Sequence, residues 1–169
     1  MSKKIAIVAT NGFEHSELTK PKEYLENAGH ATQVISISSG EIEAAHDAGS
    51  VPVDTTFDGI NAADYDALVL PGGVSNPDTL RTHSEVVAFV RHFVDAKKPI
   101  AAICHGPWTL IEADAVVDKK VTSWPSLKTD LENAGATWVD EKVVVDDNLV
   151  TSRKPDDIPA FNEAFGKLL

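Results

Sequence analysis

The stretch Pro99-Ile100-Ala101-Ala102-Ile103-Cys104-His105-Gly106-Pro107 decides how the rest of the chain is read. A short apolar strand ends in the only cysteine, and His, Gly and Pro open the next segment. The pattern predicts a strand-to-helix turn with the thiol at its apex. A side chain at such a turn projects beyond the carboxyl end of a sheet, where backbone N–H groups and a helix N-terminus favour negative charge. Both effects favour the thiolate, which is the nucleophilic form, so covalent catalysis or selective oxidation at Cys104 is expected. The competing reading makes Cys104 a small buried hydrophobe.

Working outward from that turn, Ile5-Ala6-Ile7-Val8-Ala9 reads as a buried strand. Asn11-Gly12 then turns into a helix from about Glu17 to Ala28, closed by Gly29. Val34 to Ile37 is a second strand, followed by a polar excursion from Ser39 to Ser50 and an extended piece around Val51-Pro52-Val53. Ala67-Leu68-Val69-Leu70 is a strong strand that runs into Pro71-Gly72-Gly73, and Val86, Val87, Val90 and Phe93 then show helical spacing. Beyond the Cys104 turn the chain predicts a strand at Val121-Thr122-Ser123, a helix from Ser126 to Ala134, and a hairpin pairing Lys142–Val145 with Leu149–Ser152. A last helix runs from about Asp157 to Leu168. Strands alternating with helices predict a mostly parallel sheet covered on both faces, a three-layer α/β/α sandwich with a small antiparallel hairpin, built as one domain over residues 1–169.

The segment Leu25-Glu26-Asn27-Ala28-Gly29 recurs as Leu131-Glu132-Asn133-Ala134-Gly135, each time at a helix end. The flanks do not match, so it reads as one helix-stop device used twice rather than a duplicated half-domain.

The chain has 169 residues and a formal net charge of −11. That charge opposes binding to nucleic-acid phosphates or anionic membranes, and the lysines and arginines form no basic patch. A lone cysteine excludes an intrachain disulfide, and the opening residues are not those of a signal sequence, so a cytoplasmic location is expected.

Open α/β sheets bind ligands outside the carboxyl ends of their strands. Three loops predicted there are chemically loaded. The first carries Glu14, His15 and Glu17, the second Gly72 and Gly73, and the third Cys104 and His105. Gly72 and Gly73 permit close approach of backbone to a ligand, so the N–H groups of Gly73 and His105 are candidates for an oxyanion hole. Glu17 could sit against the thiol with its own pKa raised by burial, or simply favour a helix first turn. Glu14 is a weaker substrate-binding candidate, and His15 reads as a solvated loop residue. His105 follows the nucleophile directly and, because neighbours at a sharp turn diverge, need not touch the thiol. Asp78 is a candidate to orient it, across a subunit boundary, or else a helix cap. The scattered histidines suggest no metal site, and with neither GxGxxG nor P-loop present no cofactor is expected.

Leu70-Pro71-Gly72-Gly73, Ala102-Ile103-Cys104-His105-Gly106-Pro107, Asn133-Ala134-Gly135-Ala136 and Val143-Val144-Val145-Asp146 through Thr151-Ser152-Arg153 together resemble the PfpI family of intracellular cysteine-peptidase-like stress proteins, within the ThiJ/PfpI superfamily. The resemblance covers nearly the whole chain and implies a flavodoxin-like fold. It also implies Cys104 as nucleophile, His105 as its neighbour, Glu17 as the carboxyl beside the thiol, and Asp78 as the acid that reaches the histidine of an adjacent subunit. That position is Asp rather than Glu here, set one residue further from Gly73. Homodimers, and hexamers in the peptidase-like branch, are implied too. The superfamily's glutamine amidotransferases need a downstream histidine, and none follows His105.

Two classes of function are compatible with these residues. In the first, Cys104 adds to an electrophilic carbonyl, as in a glyoxalase or protein deglycase, with a cysteine peptidase as the nearest alternative. In the second, the same thiol is a redox sensor in a chaperone-like stress protein, without a second cysteine to resolve a sulfenic acid. Trp108, Trp124 and Trp138 are candidates for an interface, the core or a crevice wall.

Overall fold

The computed structural model describes residues 1–169. Its strands are β1 (Lys4–Val8), β2 (Ala31–Ser36), β3 (Glu41–Glu43), β4 (Ser50–Pro52), β5 (Thr55–Thr56), β6 (Ala67–Leu70), β7 (Ile100–Ile103), β8 (Lys120–Val121), β9 (Thr137–Trp138), β10 (Val144–Asp146) and β11 (Leu149–Ser152). The α-helices are α1 (His15–Asn27), α2 (Ser75–Leu80), α3 (Ser84–Asp95), α4 (Pro107–Glu112), α5 (Lys128–Asn133) and α6 (Ile158–Gly166).

The central sheet has the order β10-β11-β7-β6-β1-β2-β5. All its pairings are parallel except β10 with β11, which form the expected hairpin at one edge. Counted along the chain, the long parallel strands β2-β1-β6-β7-β11 follow the order 2-1-3-4-5, the doubly wound arrangement of flavodoxin-like folds. The winding reverses between β1 and β6, and a crevice opens there at the carboxyl ends of the strands.

Burial explains why these segments are strands. Residues of β6 and β7 are buried along their whole length, as two-sided parallel strands require. Two cores lie on the two faces. Leu68, Leu70, Ile100 and Ala102 pack with Val86, Val90 and Phe93 of α3, whereas Val69, Ala101 and Ile103 pack with Phe161 and Phe165 of α6. Successive residues of one strand thus feed opposite cores.

The repeated helix stop is a matching pair of Schellman caps. His30 N–H donates to Leu25 O and Gly29 N–H to Glu26 O, while Ala136 N–H donates to Leu131 O and Gly135 N–H to Glu132 O, all at 3.0 Å. Gly29 and Gly135 have φ of 91° and 97°.

Three segments differ from the sequence reading. The polar stretch from Ser39 to Ser50 holds β3, which pairs antiparallel with β4, so there is a second hairpin outside the central sheet. Alternation there is brief, with Ile42 and Val51 the only buried residues of the two strands, which leaves little periodic signal. Lys120–Val121 pairs with β9 in a small separate sheet. The first helix begins at His15, and the His15 ring lies half-buried beside Phe13 and Gly49 instead of being solvated. No helix is long and apolar enough to cross a membrane.

Candidate active site

Cys104 follows β7 with φ +62°, a left-handed conformation unusual for a residue with a Cβ. That backbone turns the side chain out of the sheet while the peptide of His105 begins the next segment. The N–H groups of Gly73 and His105 hydrogen-bond toward the sulfur and lower its pKa. The contact that the sequence left open is made: the His105 ring folds back, with Nδ1 3.2 Å from Cys104 Sγ. It is held there by Trp124, stacked at 6.0 Å, and Trp108, edge-on at 5.1 Å. Trp108 Nε1 donates to Asp130 and Trp138 Nε1 to Ser123, so these two tryptophans are fixed locally, whereas Trp124 stays exposed at the cleft.

Glu17 comes from the first turn of α1 and is fully buried. Its Oε1 accepts the Gly72 N–H at 3.0 Å, and its Oε2 has no hydrogen-bond partner. Burial first, then the negative charge of Glu14, raises its pKa from 4.5 to about 8. Glu17 is therefore protonated at neutral pH. Gly72 is what lets carboxyl and nucleophile meet, since a Cβ there would lie 2.5 Å from Glu17 Oε1 and 2.7 Å from Cys104 Cβ. Gly73 has φ +79°, and the space beside its Cα is filled by the backbone of Gly12 to Glu14.

Burial also pushes the Cys104 thiol up, and a charged Glu17 pushes it further, outweighing the two amides. The thiolate favoured by the turn alone is thus opposed by its surroundings. The two groups titrate as a pair. While Glu17 keeps its proton its repulsion is absent, and the unpartnered Oε2 is available as a donor. His105 is held below its ordinary pKa by burial, hence neutral and able to accept a proton.

A cleft of about 420 Å³ opens over these groups, lined by Glu14, Glu17, Cys104 and His105 together with Gly73 and Trp124. Glu14 occupies the N-cap position of α1 without capping it, and donates its N–H to Gly72 O at 3.3 Å. His46 and Ala45, from the turn between β3 and β4, complete one wall. Sequence reasoning missed them, as well as Pro155, because only tertiary packing brings them to the crevice. The structure unites Cys104, His105, Glu17, Glu14, Gly72 and Gly73. Asp78 it does not bring in: this residue is exposed in the first turn of α2, caps nothing, and makes no hydrogen bond to His105 within the chain. No three His, Cys, Asp or Glu side chains converge as a metal-binding group.

The DJ-1/PfpI family model matches residues 3–168. "General stress protein 18" of Bacillus subtilis is 49% identical over 96% of this chain and 95% of its own length. "Protein/nucleic acid deglycase 2" of Escherichia coli is 46% identical over 100% of this chain and 99% of its own. "Putative cysteine protease YraA" of Bacillus subtilis is 43% identical, again over 100% and 99%. The chain belongs to the DJ-1/PfpI family.

Proposed function

We propose that this member of the DJ-1/PfpI family is a stress-protective cysteine enzyme that acts on electrophilic carbonyls, as a glyoxalase or deglycase does, with Cys104 as its nucleophile. The observation that carries the reading is the left-handed Cys104, set between two backbone N–H groups, a neutral imidazole 3.2 Å from its sulfur, and a buried carboxyl that keeps its proton to about pH 8. A relative named as a deglycase aligns over the full chain, which supports the substrate class.

In this reading Sγ bonds to the carbonyl carbon while the π pair moves onto oxygen. His105 Nδ1 accepts the thiol proton, and the N–H groups of Gly73 and His105 stabilise the oxyanion. Glu17 delivers its proton to that oxygen, giving a hemithioacetal. With an α-oxoaldehyde, the resulting Glu17 carboxylate takes the hydrogen from the carbon bonded to sulfur as a proton and returns it to the neighbouring carbon, while the hydroxyl proton of the hemithioacetal passes to the oxygen on that neighbouring carbon, so that a 2-hydroxy thioester results. Water then adds to the thioester and gives one proton to Glu17, the C–S bond breaks, and Sγ leaves with the proton held by His105, releasing a hydroxy acid and restoring the starting groups. No step calls for a redox partner. The role proposed for Asp78 lies across a subunit boundary in a homo-oligomer, orienting the His105 of another copy.

A peptidase needs that orienting acid more than carbonyl addition does, because an amide leaves only when its nitrogen is protonated. The test follows methylglyoxal loss and lactate appearance for the wild type and Cys104→Ala, with an unstructured fluorogenic peptide assayed alongside. Multiple turnovers that disappear in the variant are expected. Peptide cleavage without methylglyoxal turnover would put the peptidase in first place. If neither substrate turns over while peroxide oxidises Cys104 stoichiometrically, the redox sensor replaces both.

A further inference from the structure

Among the residues that line the cleft, two that carry a Cβ stand on left-handed backbone: Cys104, at φ +62°, and His46, at φ +59° and ψ +31°. Lys97, Asp114, Asp118 and Asp147 share that conformation but end helices or close turns outside the cleft. For Cys104 the strained turn is what exposes the nucleophile. His46 stands at the mouth of the same cleft, and the next residue, Asp47, is left-handed as well, at φ +52°. Consecutive residues of this kind persist only where surrounding structure holds them.

That surrounding structure is on hand. Gly12 N–H donates to Glu43 O and Ala45 N–H to Phe13 O, each at 2.8 Å, while Glu43 N–H donates to Asn11 Oδ1 at 2.9 Å. Phe13 and Ala44 form a β-bridge, Ala44 N–H closes the turn on Gly49 O, and the His15 ring lies against Gly49. The β3–β4 hairpin is thus fastened to the connection that leads through Glu14 into the first turn of α1, where Glu17 stands. Its tip puts His46, whose imidazole carries a hydrogen-bond donor, in the lining of a cleft that has no lysine or arginine.

We propose that His46 is a substrate-contacting residue whose ring N–H holds the outer oxygen of a small carbonyl compound, on the carbon next to the one bonded to Cys104 Sγ. The inner oxygen is served by the amides beside the sulfur, so a vicinal dicarbonyl or hydroxycarbonyl compound is gripped at both ends. This inference rests on the proposed carbonyl chemistry for its substrate, but the contact itself can be measured without turnover.

Chloroacetone alkylates a thiol at its chlorinated carbon, so chloride leaves and the carbonyl oxygen stands in that outer position. Methyl methanethiosulfonate modifies the same sulfur without a carbonyl. Rates of Cys104 modification by both reagents are compared in the wild type, His46→Gly and His46→Asn. Glycine relieves the left-handed strain, and asparagine tolerates it while retaining an N–H donor. Chloroacetone is expected to react about fivefold more slowly with His46→Gly, the loss of one hydrogen bond, and to recover in part with His46→Asn. The thiosulfonate rate is expected to stay at the wild-type value, and the melting temperature of His46→Gly not to fall. Unchanged chloroacetone reactivity in His46→Gly would overturn the contact, as would an equal slowing of both reagents, which would mark His46 as a merely structural part of the wall. Should the wild type fail to turn over methylglyoxal while chloroacetone selectivity is lost in His46→Gly, the contact stands and the carbonyl-enzyme reading falls.

Discussion

Two carboxyl groups are buried in this protein, and the fold treats them in opposite ways. Asp157, just before α6, is 4% exposed and fully engaged: Oδ2 accepts from Arg153 Nε at 2.9 Å and from the Arg153 backbone N–H at 3.1 Å, and Oδ1 accepts from the second arm of the guanidinium at 3.0 Å. Glu17 is 0% exposed, faces no cation, and leaves one oxygen without a partner. A forked guanidinium compensates the desolvation of a carboxylate, so Asp157 can stay charged at little net cost and ties the β11–α6 connection together. Glu17 has one backbone donor to set against burial, and it answers by keeping its proton. The difference separates a charge that fastens the chain from a proton kept next to a nucleophile. Stability is given up at the second position, which is what a site retained for chemistry looks like energetically.

The sharpest way to break this contrast is Glu17→Gln. The unfolded chain releases the Glu17 proton at its ordinary pKa of 4.5, whereas the native chain holds it to about 8. Between those values the native state binds more protons than the unfolded state, so stability declines as pH rises from about 4.5 to about 8 and levels off above. The decline amounts to a few kcal/mol, given about 1.4 kcal/mol for each pH unit. Glutamine has nothing to titrate, keeps an acceptor for the Gly72 N–H, and is expected to flatten the curve and to be more stable than the wild type at pH 8. Turnover of methylglyoxal is expected to fall by about a hundredfold or more, the usual weight of a lost acid-base group. Urea midpoints at pH 5, 6, 7 and 8 for both proteins decide the first point. Parallel pH slopes would mean that Glu17 titrates normally.

Asp157→Ala tests the other half. Removing one partner of a buried pair strands the other, but Arg153 keeps 22% of its side chain in water and retains Asp140 at 2.9 Å, which softens the loss. A cost of about 2–3 kcal/mol is expected, below the range for fully buried pairs. In a chain of this size that lowers the melting temperature by roughly 5–10 °C. The rate per folded molecule at low temperature should remain close to wild type. A loss of rate without a loss of stability would move Asp157 from fastening to function.

How much of this was legible in the sequence depends on whether the cause is local. The strand running into Cys104 and the two Schellman caps are decided by residues adjacent in the chain, and Leu25–Gly29 and Leu131–Gly135 could be read directly. Glu17 was legible as a carboxyl near the thiol because both follow parallel strands of one sheet, β1 and β7, and so lie beyond its carboxyl edge. His46 was not, since its place depends on a hairpin fastened to Gly12 and Phe13 through backbone hydrogen bonds that carry no side-chain signature. The sequence leaves the contact between His105 and the thiol open, because the left-handed φ of Cys104 and the two tryptophans that pin the ring are invisible in the local string. For Asp78, chain spacing fixed a helix turn but not the direction of its exposed face.

Arg153→Lys sharpens the contrast with the smallest change. Lysine keeps the charge beside Asp157 but replaces a planar fork by a single ammonium, so the paired hydrogen bonds to Oδ1 and Oδ2 cannot both persist. The Arg153 backbone N–H still reaches Oδ2, and no charge is stranded. The expected cost is about 1 kcal/mol, one net hydrogen bond, and well below that of Asp157→Ala. Denaturant midpoints for the two variants, measured at low and high salt, make the comparison. If Arg153→Lys costs as much as Asp157→Ala, the geometry of the fork rather than the cancellation of charge holds this corner of the fold. The contrast with Glu17 would then be one of hydrogen-bond count, with one donor against three, instead of one between a paired and an unpaired charge.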